Sequence, residues 1–155
     1  MAIVGFEFSK INVEKKEVKK GSNIQIGNNV AIVNVLKNDL KVGGANQAGV
    51  KFLFEYKSAY EPDYAKIVLG GSVLYLCDTK KANEIADNWK KKKYLDKEVA
   101  QQIINSILTK CNIQSILLAN TVNLPSPVPM PKVKVSQAPA KDDADKKDSQ
   151  AKLKK

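Results

Sequence analysis

The chain has 155 residues, of which 43% are hydrophobic, and 26 basic against 16 acidic side chains give it a net charge of +10. Every positive charge is a lysine, and there is no arginine and no histidine. Lacking histidine, the chain has no Ser-His-Asp or Cys-His site and none of the commonest general bases. Its two cysteines cannot complete a tetrahedral Cys/His metal site within one chain.

No catalytic residue, metal or cofactor is therefore expected, and the chain does not read as an enzyme. Cys77 and Cys111 sit in apolar contexts, "LYLC" and "ILTKC", and read as small buried hydrophobes. The N-terminus "MAIVGFEFSK" lacks the basic n-region and apolar core of a signal peptide. No apolar run is long enough to span a bilayer, so no membrane insertion and a cytoplasmic location are expected. The last twenty residues hold one leucine, no aromatic or β-branched side chain and ten charges. Such a segment cannot bury enough apolar surface to offset its ordering entropy. The organisation expected is one domain over residues 1–135 and a disordered charged tail over 136–155.

"VGFEFSKINVEKKEV" alternates, and its apolar face changes sides near Ser9 and Lys10, which predicts a long strand with a bulge or a crossing of sheet faces. "KKGSN" is a turn. "NIQIGNNVAIVNVLKNDLKV" is a second strand, with "GNN" as a break or bulge. Its nearly all-apolar "VAIVNVL" suggests burial on both faces. "GGANQAG" connects to "VKFLFEY", a third strand with Val50, Phe52, Phe54 and Tyr56 on one face. "SAYEPDY" is a turn in which Glu61 and Asp63 find their ordinary place beside Pro62. "AKIVLGGSVLYLC" is a fourth strand, and Gly70-Gly71 marks a bulge or a tight backbone approach rather than a phosphate loop.

The period then changes. "DTKKANEIADNWKKKK" places Ala82, Ile85, Ala86 and Trp89 at helical spacing, with Asp78 or Thr79 as N-cap. "LDKEVAQQIINSILTKC" starts a second helix at Asp96, with Val99, Ile103, Ile104, Ile107, Leu108 and Cys111 as its apolar stripe. Ile116, Leu117 and Leu118 either extend it or follow a kink near "CNIQS". Strands followed by helices give an α+β fold: a four-stranded antiparallel sheet with two C-terminal helices on one face. Two helices cover one side only. The other side is expected to present apolar surface, with Phe52 and Phe54 on it, and to pair with a second copy or a partner.

"LPSPVPMPKV" has prolines at 125, 127, 129 and 131, which fix φ and remove amide donors. It reads as a stiff, extended strip that sets Leu124, Val128 and Met130 for docking. Lys90, Lys91, Lys92 and Lys93 are the densest basic cluster and a candidate anion-binding site, or a solvated helix end that complements the dipole.

The order of "FEFSKINVEKKEV", "IVLGGSVLYL" (67–76), "VAQQIINSIL" (99–108) and "LLANTVNLP" (117–125) resembles the SecB family of protein-export chaperones. The likeness spans roughly residues 3–130. It implies a SecB-like sheet backed by helices, homo-oligomers built as a dimer of dimers, and ATP-independent holding of unfolded polypeptide clients in hydrophobic grooves. The residues expected to line those grooves or an interface are Phe52, Phe54, Ile116, Leu117, Leu124, Val128 and Met130. The familiar members are acidic where they meet the export motor, whereas this chain is basic, so a toxin–antitoxin-type or archaeal relative fits better than a protein-transport factor. The rival reading is a basic accessory protein of the ribosome or another RNA assembly, whose affinity would fall steeply with salt.

Overall fold

The computed structural model describes residues 2–17, 23–38 and 46–129. The expected tail, Met130, and parts of the connections around "KKGSN" and "GGANQAG" lie outside the described residues. The elements in chain order are strands β1 (Ala2–Lys15), β2 (Gln25–Asn38), β3 (Gln47–Glu61) and β4 (Ala65–Asp78), then helices α1 (Thr79–Lys92) and α2 (Lys97–Thr121). The strands form one antiparallel sheet in the order β1-β4-β3-β2, so the first strand pairs with the last and not with its sequence neighbour. Both helices pack on the same face, α1 over β2 and β3, α2 over β4 and β3.

Strict alternation in β3 makes the two faces different. Ala48, Val50, Phe52, Phe54, Tyr56, Ser58 and Tyr60 are all buried, whereas Lys51, Leu53, Glu55, Lys57 and Ala59 point to the other side and are exposed or half-exposed. The buried set lies under the helices, packed against Ile85, Trp89, Ile103, Ile107 and Cys111. This corrects the expectation that Phe52 and Phe54 lie on an uncovered face. They are 0% and 3% exposed on the helix side. Bulky rings need the thick layer beneath a helix pair. The open side instead takes lysines and glutamates, which keep their heads in water, and short glycines. Its apolar remainder is Leu36, Leu53, Val68, Leu74 and Leu76, laced by a Lys51–Glu7 ion pair at 3.8 Å.

The second strand is also corrected. β2 lies at the sheet edge, and of its described residues only Val35 is buried. An edge strand can carry apolar residues on both sides without being sandwiched. Its register shift falls between Ile32 and Asn34, not at "GNN", where pairing runs unbroken from Gln25 to Ile32. In β1 one shift falls between Ile3 and Gly5 and a second between Phe8 and Lys10, where the sequence changes face. That second shift keeps Phe6, Phe8, Ile11 and Val13 on the helix side together.

Gly71 stands in register between Phe8 of β1 and Phe54 of β3. A β-carbon there would run into the Glu7 carbonyl and come within 3.0 Å of the Phe8 Cα, so only glycine fits. Phe6, Phe8 and Phe54 gather beside it, with ring centroids 5.1 to 6.3 Å apart.

β3 runs through the segment read as a turn as far as Glu61, because the alternation Tyr56, Ser58, Tyr60 persists. α2 is unbroken through "CNIQS". Its buried residues Val99, Ile103, Ile107, Cys111, Ser115 and Ala119 keep four-residue steps, and the last ones are small enough to approach the sheet closely. Asp78 and Asp96 occupy the N-cap positions of α1 and α2, though neither side chain makes a capping hydrogen bond.

Candidate functional site

The helix face is roofed unevenly. α1 lies over one part of β2 and β3, and α2 lies over β4 and β3. Along edge strand β2 the helix-side residues Ile26, Val30 and Ile32 stay half-exposed. Across from them, one flank of α2 carries Ile104, Leu108, Asn112 and Ile116 at four-residue steps, all half-exposed. This flank is turned toward β3, since the Tyr56 hydroxyl donates to Asn112 Oδ1 at 3.5 Å. Val30 and Ile32 of β2 and Ile104, Leu108 and Ile116 of α2 are thus half-exposed aliphatic side chains on the helix side of the sheet.

On its outer side α2 carries Ile113 and Leu117, both 56% exposed and one turn apart. The last turns of α2, "NIQSILLAN", are therefore apolar nearly all round, a pattern that calls for a cover on the outside as well. Of the residues expected to bind polypeptide, the fold brings Ile116 and Leu117 to one stretch of this helix. Phe52 and Phe54 are core beneath it. Met130 lies outside the described residues.

Beyond α2 the chain turns back across the end of the sheet. Asn123 takes a left-handed backbone, φ 58°, and residues 124–129 then run without regular structure. Leu124 is buried in the core cluster, Pro127 is buried, and Val128 is half-exposed. Side chains from three strands hold this strap by its carbonyl groups. Lys15 Nζ of β1 donates to the carbonyls of Val122 at 3.0 Å and Asn123 at 3.4 Å, where a cation also complements the C-terminus of α2. The Tyr60 hydroxyl of β3 donates to the Pro125 carbonyl at 2.6 Å. Asn28 Nδ2 of β2 donates to the Pro127 carbonyl at 2.8 Å, and Asn28 Oδ1 accepts from Ser58 Oγ at 2.7 Å, which sets the amide's orientation. Burial pushes the Tyr60 hydroxyl up to about 12, with Tyr56 and Tyr64 nearby acting in the same direction, so the donor keeps its proton throughout the physiological range.

The sequence reading missed Lys15, Asn28 and Tyr60. The signal for Tyr60 was present, since the β3 alternation continues into "SAYEPDY". Lys15 and Asn28 bind main-chain carbonyls, and nothing in sequence spacing marks such a contact.

The lysine cluster closes α1. Lys90, Lys91 and Lys92 form the last turn of α1. Lys93 is the C-cap in a left-handed conformation, and its Nζ stands 5.1 Å from the centre of the Trp89 ring. Trp89 itself is buried. On the open face a shallow depression of about 300 Å³ is lined by Gly5, Glu7, Lys51, Ser72 and Leu74, among others. Among the described residues, no helix is long and apolar enough to cross a membrane.

The fold has a solved counterpart. The SecB-like chaperone Rv1957 of Mycobacterium tuberculosis, determined in complex with a ChAD peptide from the HigA1 antitoxin Rv1956, superposes with a TM-score of 0.51 over 88% of this chain and 92% of that one, at 8% sequence identity. A four-stranded antiparallel sheet followed by two helices is thus a SecB-like fold, reached here with an almost unrelated sequence. No protein-family model matches the chain, and no curated protein matches it in sequence.

Proposed function

We propose that this chain is an ATP-independent, SecB-like holdase that binds non-native polypeptides along the channel between α2 and β2, acts in the cytoplasm, and assembles into homo-oligomers. The observation that supports this reading is the half-exposed aliphatic surface of Val30 and Ile32 on the helix side of β2 and of Ile104, Leu108 and Ile116 on one flank of α2, which in this reading border the channel. Contiguous aliphatic surface of this kind supplies non-directional attraction, about 25 cal/mol for each Å² removed from water. That suits ligands which share exposed apolar residues but no common sequence. β2, as an edge strand, offers main-chain groups that an extended client could pair with beside the channel. The likeness to a chaperone solved with a bound peptide supports the same reading.

In this reading residues 1–135 form the one domain, and the chain performs no catalysis. Ile116 contacts client directly, and Leu117, on the outer side of α2, serves the contact between protomers. Leu124 and Val128 belong to the strap that follows α2.

The test is a titration of the full chain with a reduced, permanently unfolded protein and, separately, with single-stranded RNA, at low and high salt, with the mass of each complex measured in solution. The holdase reading expects an oligomer that captures the unfolded protein with weak salt dependence and suppresses its aggregation. A monomer that ignores unfolded protein and binds RNA with a steep salt dependence would establish the basic accessory role instead.

A further inference from the structure

The strap is held in an unusual way for a packed terminus. Its described contacts pair apolar side chains, Leu124 and Pro127, with side-chain donors aimed at main-chain carbonyls, namely those of Val122, Asn123, Pro125 and Pro127. None of those polar contacts reads a side chain of the strap. A receptor built like this recognises a backbone whose carbonyls are unpaired, and it suits proline because proline demands no acceptor for an amide hydrogen. Tyr60 and Tyr64, packed edge to face with centroids 6.4 Å apart, add the aromatic wall on which such segments dock elsewhere in protein recognition.

We propose that the ledge formed by Lys15, Asn28 and Tyr60 is a binding site for proline-bearing polypeptide segments with unpaired carbonyls, and that the strap after α2 occupies it as an internal competitor which client segments displace. This rests on the holdase reading and adds to it a ligand class and a regulated site.

Three physical points support exchange over permanent closure. The strap follows α2, so release of residues 125–129 disturbs no strand pairing and leaves the main-chain bonds that cap α2 at residues 122–124 in place. Asn123, with its left-handed backbone, gives a hinge at the junction with α2. The donors also stay correctly set without the strap, because Ser58 orients the Asn28 amide and Tyr60 is anchored in β3.

The experiment uses the full chain and a fluorescent peptide of sequence TVNLPSPVP, a copy of residues 121–129. The variant carrying Leu124→Ser and Pro127→Ser loosens the strap without touching the ledge. It should bind the peptide at least tenfold more tightly than the wild type, and adding Tyr60→Phe should remove most of that gain. A loosened chain that stays folded by circular dichroism yet binds the peptide no better than the wild type would overturn the proposal.

A second measurement avoids destabilising variants. Ser126→Cys places a thiol on the strap, while the native Cys77 and Cys111 are buried. Saturating reduced, unfolded client should raise the labelling rate of that thiol several-fold. Client that binds without changing the rate would show that the strap stays in place and would end the displacement model while leaving the holdase reading intact. Client that does not bind at all would end the holdase reading, and the peptide titration would still decide whether the ledge is a site.

Discussion

The hydroxyl of Tyr60 donates to the carbonyl of Pro125 at 2.6 Å, across 65 residues of sequence. Tyr60 is 1% exposed, so neither the phenol nor the ring beneath it reaches bulk water while this contact holds. The bond joins the end of β3 to a segment with no regular secondary structure of its own. It therefore does for the strap what ladder hydrogen bonds do for a strand, fixing one point of an otherwise free backbone. Lys15 and Asn28 fix two more points on either side, and together the three contacts draw the strap from β1 across to β2.

Tyr60→Phe removes the donor and leaves the Pro125 carbonyl without its partner. The expected cost is roughly 1–2 kcal/mol, the usual range for losing one member of a buried hydrogen-bonded pair. A urea titration should show a lower midpoint with an unchanged slope. A double-mutant cycle with Asn28→Ala should show coupling, since the two donors hold one segment. Additive effects would mean that the strap does not dock as a unit.

Gly71 and Gly27 should respond oppositely to the same substitution. Gly71→Ala drives a β-carbon into the backbone of Glu7 and Phe8 at the centre of the sheet, where nothing can yield cheaply. A loss of several kcal/mol, or failure to fold, is expected. Gly27 sits on the edge strand with nothing within 4 Å of a β-carbon. Gly27→Ala should be neutral or stabilising by up to about 1 kcal/mol through the unfolded chain. Thermal melts of the two variants side by side decide this.

Much of the fold could be read from residue spacing. The period-two runs around Phe52 and Phe54, the change of face near Ser9, the four-residue steps of Ala82, Ile85, Ala86 and Trp89, and the positions of Asp78 and Asp96 all reflect local geometry that the chain must obey. Which face of the sheet the helices would cover was not readable. Alternation divides residues into two sets without saying which set meets the helices, and here the aromatic set went inward. Strand order was hidden for a similar reason, because β1 and β4 are joined by pairing and not by sequence proximity. The strap contacts were the least visible, since a carbonyl is present at every residue. The aliphatic surface falls between these cases: Ile104, Leu108 and Ile116 are plain in the α2 sequence, but the placing of Val30 and Ile32 on the helix side of β2 requires the fold.

Ile32→Ser and Ile116→Ser test the channel directly. Both residues are half-exposed, so truncating their apolar surface should lower stability only slightly. A client that buries either side chain loses up to about 1.5 kcal/mol of the contact, which corresponds to affinity weaker by up to about tenfold. Fluorescence titration with a reduced, unfolded protein measures this. Leu53→Ser, on the open face, serves as the control and should leave affinity unchanged. Equal loss in all three variants would remove the channel from the binding reaction.

Alkaline pH should weaken the fold by a mechanism that can be assigned. Burial pushes Tyr60 from 10.0 up to about 12 and Cys111 from 9.0 up to about 12, and burial raises Tyr56 as well. A raised value means that the folded chain keeps its proton where the unfolded chain has lost it. The stabilisation is therefore complete below about pH 9 and declines as pH rises, first through the thiol and then through the phenols, until both folded groups ionise near 12. Within that window each group contributes a slope of about 1.4 kcal/mol per pH unit. Urea midpoints measured between pH 8 and roughly pH 11.5 should fall accordingly. Cys111→Ala should reduce the part of the slope that begins nearest pH 9, which buried Cys77 shares, and Tyr60→Phe the part that begins above pH 10, which Tyr56 and Tyr75 share. Ionised Tyr60 can no longer donate to Pro125, so the thiol reactivity of Ser126→Cys, corrected for its own ionisation, should rise in step with tyrosinate absorbance. A strap that stayed protected after Tyr60 had ionised would show that Lys15, Asn28 and the burial of Leu124 suffice to hold it.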